Sequence, residues 1–147
     1  MDPDKSKTYS LLAYAGAIPF VLCAIAPWLG ITDLGRIGSV RFVAASYGLT
    51  IVSFMAGVLW GICLIGKKPV PANLFFVSNA VTIAAWFAFL LTPPTVALGV
   101  MALLFLYLLM VDARLTRNGV LGDRYFRTRR NVTLLVVLSL IAIQIAG

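Results

Sequence analysis

An all-α membrane protein, a bundle of five transmembrane helices with the N-terminus inside and the C-terminus outside, is the architecture that three features of this 147-residue chain predict. Hydrophobic residues make up 61% of it and charged residues only 12%, too few charges to cover a water-soluble globule, so lipid is the expected solvent. Five apolar stretches of roughly 20 residues, the length that crosses a hydrocarbon core, separate six polar segments. The first, third and fifth of these segments carry ten of the twelve basic residues: Lys5, Lys7, Lys67, Lys68, Arg114, Arg117, Arg124, Arg127, Arg129 and Arg130. The second segment carries only Arg36 and Arg41. Basic residues in short loops are retained on the cytoplasmic face, and this sets the orientation. The five spans use nearly the whole length, so residues 1–147 read as one membrane domain.

The first span is expected over 9–26. Ala24-Ile25-Ala26 has the spacing of a signal-peptide cleavage site, but Pro27 in the following position blocks cleavage and the apolar run exceeds a signal core, so the span is read as uncleaved. Pro19 lacks an N–H for the carbonyl of Ala15, which predicts a kink, or a donor from a neighbouring helix, near Gly16 to Pro19. The following loop places Asp33 three residues before Arg36, a local ion pair. The second span, 42–65, has Ser53, Gly57 and Gly61 at four-residue spacing, with Ala44, Gly48 and Ala56 as further small positions. Such a stripe lets another backbone approach, either inside the monomer or across a dimer seam. The third span, 72–91, and the fourth, 95–111, form a hairpin through the turn Thr92-Pro93-Pro94-Thr95. The last inner loop turns at Asn118-Gly119 and contains a short interfacial helix from Asp123 to Arg130, before a fifth span over 131–146.

Composition also narrows the chemistry. There is no His and no Glu, and all five Asp residues fall outside the expected spans. Haem ligation, a di-iron carboxylate site, an intramembrane zinc protease and a carboxylate proton relay each need ionisable groups inside the bundle, so no metal, cofactor or catalytic residue is assigned. A net charge of +7 is accounted for by topology, and no nucleic-acid partner is implied. Cys23 and Cys63 fall near opposite ends of their spans, roughly 15–20 Å apart along the membrane normal, and read as two inert thiols. Tyr47, Asn79 and Thr82, with Trp86 nearby, either line a small polar pocket or act as interhelical hydrogen-bond glue. Arg124, Arg127, Arg129 and Arg130, interleaved with Tyr125 and Phe126, either contact anionic lipid headgroups or anchor the topology.

Gly16-Ala-Ile-Pro19-Phe20, Tyr47-Gly48, the run Ser53 to Gly61 and the basic stretch Arg124 to Thr133 together resemble the transmembrane protein 69 family, whose bacterial members carry a domain of unknown function. Gly57-Val-Leu-Trp60-Gly61 is the most specific part. The resemblance implies a five-helix protein of the bacterial inner (plasma) membrane, or alternatively the mitochondrial inner membrane, with no established activity and no functional residues to carry over. Leu59 stands where a polar residue often precedes that Trp, which argues against a catalytic role there. The expected function is a non-enzymatic accessory, scaffold or assembly subunit that contacts membrane lipids and other membrane proteins or a second copy. A small transporter or channel for a neutral solute is the alternative, and a lipid-acting enzyme the third reading.

Overall fold

The computed structural model describes residues 3–66, 68 and 70–146. Lys67, one of the ten basic residues expected on the inner side, lies outside the described residues, as does Pro69 of the same loop. The described residues are helical in the main: α1 Pro3–Ala15, α2 Ile18–Ile25, α3 Val40–Ile65, α4 Asn73–Leu91, α5 Pro94–Arg117 and α6 Asp123–Ala146, with short 3-10 turns at Ala26–Leu29 and Gly35–Ile37. Five segments are long and apolar enough to cross a membrane, the first formed by α1 and α2 together over Lys7–Leu29.

The distribution of side chains is that of a lipid-solvated bundle. Phe54, Phe76 and Leu138 point outward, whereas Ser78, Thr133, Ser139, Asp112 and Arg129 are buried. With no water in the bilayer core, polar groups turn inward to find partners and apolar ones cover the outside. Ser78 Oγ donates to the carbonyl of Ala56 at 2.8 Å, tying α4 to α3. Helix α3 packs most extensively on α4 and α5, α5 also on α6, and α2 on α6.

Pro19 has the expected effect. The first span breaks into α1 and α2 at Gly16-Ala17, and Tyr47 Oη of α3 donates to the Gly16 carbonyl at 3.0 Å, supplying a bond that the broken helix needs. Phe20, fully buried, packs beside that bond against Tyr47, at 5.0 Å between ring centroids, and edge-on against Phe105 of α5 at 5.9 Å.

Three local expectations are corrected. Helix α5 runs to Arg117 rather than ending at Val111, so Asp112 lies within a helix and not in a loop. The interfacial helix and the fifth span are a single helix, α6, because nothing between Arg130 and Asn131 breaks the backbone ladder. Asp33 does not pair with Arg36: its Oδ1 accepts the Gly35 N–H at 2.7 Å, the tighter local partner in a turn where Gly35 takes a φ of 62°.

Candidate functional site

The most chemically distinctive place in the molecule arises from two charges on otherwise apolar stripes. On α5 the buried face is Leu98, Met101, Phe105, Leu108, Asp112 and Leu115, alternating three- and four-residue steps that put Asp112 in line with the core. On α6, Arg129 begins a buried face continued by Val132, Val136, Leu140 and Ile143. The turn through Gly119, which takes a φ of 67°, folds α6 back along α5 and brings the two charges together. Arg129 Nε donates to Asp112 Oδ2 at 2.8 Å, and the two residues are 6% and 3% exposed. A carboxylate at that depth is tolerated because the guanidinium both neutralises and hydrogen-bonds it. Arg129 Nη1 also reaches Met55 Sδ of α3 at 2.8 Å.

Around this pair lies an aromatic and hydroxyl cluster. Tyr9 of α1 stacks on Tyr125 of α6, with centroids 5.1 Å apart, and the hydroxyls of Ser10 and Thr128 share a hydrogen bond of 3.3 Å. The Tyr9 hydroxyl is shut off from solvent and has no hydrogen-bond partner among the described residues. A cavity of about 500 Å³ opens beside the cluster between α1, α3 and α6 and ends against Phe105. Its polar groups, Tyr9, Tyr125 and Arg129, gather where α1 and α6 begin, and Gly16, Ile51 and Val136 line the far, apolar end.

Arg129 therefore does not belong with the exposed cations. Arg124, Arg127 and Arg130 are exposed and Arg129 is not, because residues 129, 132 and 136 share the helix face turned to the bundle. The shared polar pocket of Tyr47, Asn79 and Thr82 does not form. Tyr47 turns to α1 and α2, whereas Asn79 is exposed on α4 and donates to its own helix at the Phe75 carbonyl, 3.0 Å away. Thr82 is half-buried and Trp86 faces outward at 49% exposure, tilted on Phe87.

Of the two readings left open for Ser53, Gly57 and Gly61, close contact within the monomer is not found at the two glycines. A Cβ placed on Gly57 or Gly61 would meet nothing within 4 Å, whereas one on Gly48 would lie 3.3 Å from Met101 Cγ and 3.8 Å from Phe20 Cε1. The packed small residues of α3 are Ala44, Ala45, Gly48 and Ala56, and Ser53 is only half-buried. Cys23 and Cys63 are both free thiols.

Sequence reasoning missed the Asp112–Arg129 pair, although the stripe periodicity on α5 and α6 was a usable signal for it. Among the described residues no group of three or more His, Cys, Asp or Glu is placed to hold a metal ion. No curated protein and no solved structure matches the chain. The family model described as protein of unknown function (DUF3429) matches residues 5–145, which reaches into every helix described above, and the chain belongs to that family.

Proposed function

We propose that this protein is a non-enzymatic accessory or scaffold subunit of an inner membrane, and that it docks another membrane helix, from a second copy or a different subunit, on the face of α3 that carries Ser53, Gly57 and Gly61. The observation that carries this reading is the open space over Gly57 and Gly61 on a helix long enough to span the bilayer. A glycine facing lipid contributes nothing there, while a glycine facing a helix lets two backbones pack closely, which is the main source of association where the hydrophobic effect is absent. Trp60, partly exposed and edge-on to Phe75 at 4.8 Å, flanks the same surface. The kinship with transmembrane protein 69 and the placement in a bacterial or mitochondrial inner membrane form part of this reading. They are supported by Gly57-Val-Leu-Trp60-Gly61 lying inside the matched region.

The test is the size of the particle extracted in mild detergent. Wild type is expected to migrate as an assembly larger than one chain, and Gly57→Leu with Gly61→Leu to migrate as a single chain with an unchanged melting temperature. Identical migration of the two forms would overturn the docking role.

A further inference from the structure

We infer that the cavity between α1, α3 and α6 holds one hydrocarbon chain of an anionic phospholipid, with the lipid's phosphate at the Tyr9–Tyr125–Arg129 end. The cavity is graded as such a molecule is. From Arg129 to Val136 it follows α6 for about 10 Å, passing from a guanidinium and two phenols to a wall of Gly16, Ile51, Phe105 and Val136. The open side faces the direction in which lipid lies, since Leu12 and Phe54 on its rim are 65% and 72% exposed.

The polar end is built to donate. Asp112 Oδ2 accepts from Arg129 Nε, so its charge is balanced within the bundle, and Asp112 is not among the residues that line the cavity. The buried Tyr9 hydroxyl, by contrast, is a donor with no partner among the described residues. A buried unpaired hydroxyl costs free energy unless something else accepts its hydrogen bond, and a phosphate oxygen does so. Charge selects the anionic class. Lys7, Arg124, Arg127 and Arg130 are exposed around this end, against the single exposed acid Asp123 in the same stretch of α6. Each cation near an anionic head adds to its retention.

The protein is to be reconstituted in vesicles of equimolar phosphatidylglycerol and phosphatidylcholine, released into detergent, and its bound lipid counted by native mass spectrometry. Wild type is expected to retain one phosphatidylglycerol. Ala13→Phe fills the cavity from α1, and Val58→Phe fills it from the rim on α3 without touching a charge. Each should lower that occupancy about tenfold, as expected for displacing a few methylenes from an apolar site. Arg127→Gln with Arg130→Gln, which leaves the cavity intact, should lower the occupancy less than either filled variant does. Because Val58 is 37% exposed, its variant keeps the test open if Ala13→Phe does not fold. Retention by a folded filled variant, or loss only in the double Arg variant, would mean that lipid is held at the surface and the cavity has no part in it. Equal retention of phosphatidylcholine would overturn the anionic assignment.

Discussion

At Asp112 and Arg129 the fold places two full charges where neither is affordable alone. The carboxylate and guanidinium are 2.8 Å apart and nearly inaccessible, so the attraction between them offsets part of the desolvation cost of both. Arg129→Met leaves Asp112 buried without a counter-charge, and Asp112→Leu does the same to Arg129. Each single change is expected to destabilise the protein by about 3–5 kcal/mol. Replacing both together, Asp112→Leu with Arg129→Met, removes the cost along with the attraction and should be milder than either single change. Thermal unfolding of the four purified forms checks this, and a double variant as unstable as the sum of the singles would show that the pair is not coupled. Met55 sits on the third side of the guanidinium, so α3 helps to hold the pair as well.

Helix α3 shows how an element presents two faces to different neighbours. Gly48 and Gly57 are about 180° apart around the axis at 3.6 residues per turn, so they cannot both face the core. Met101 and Phe20 cover Gly48, while nothing in the chain covers Gly57. Gly48→Leu is therefore expected to cost about 1–3 kcal/mol by overpacking. Gly57→Leu is expected to leave the melting temperature of the isolated protein unchanged. A calorimetric comparison in which Gly57→Leu melts as low as Gly48→Leu would contradict this division of faces. The same helix repairs the break before Pro19 through Tyr47 Oη, which explains why α1 and α2 behave as one span despite the interruption.

Across the whole molecule, the three basic segments collect at one end. Tyr9 meets Tyr125, Ser10 meets Thr128, and Lys68 Nζ lies 2.8 Å from where a Cβ on Gly119 would be. The opposite end is built by different residues. There Gln144 Nε2 donates to the Thr95 carbonyl at 2.6 Å, Arg41 Nη2 reaches the Gln144 carbonyl at 3.5 Å, and a hollow of about 470 Å³ includes Pro27, Asp33 and Pro94. The sequence puts ten basic residues in the segments expected on the first side and two in those of the second, so the first side is expected to face the cytoplasm. A reporter active only outside the membrane should be active when fused after Gly147, which lies outside the described residues, and silent when inserted at Asn118. Reversed activities at the two sites would invert the topology.

Lipid as solvent, five crossing segments, the break at Pro19 and the turns at Thr92 and Asn118 were all legible in the sequence, because each depends on a property of a short stretch: its hydropathy, a missing N–H, or a pair of turn formers. The candidate site was not legible in the same way. Whether Gly48 or Gly57 is covered depends on which neighbour lies against α3, and the sequence regularity at Ser53, Gly57 and Gly61 carries no information about that. Asp112 and Arg129 read as loop charges because ionic side chains end an apolar run on any local scale. Their burial is decided by a contact between residues 17 apart in sequence, across the turn that lays α6 on α5. Tertiary structure alone determined that these charges cancel inside the bundle, since the free energy of burying either one depends on where the other comes to rest.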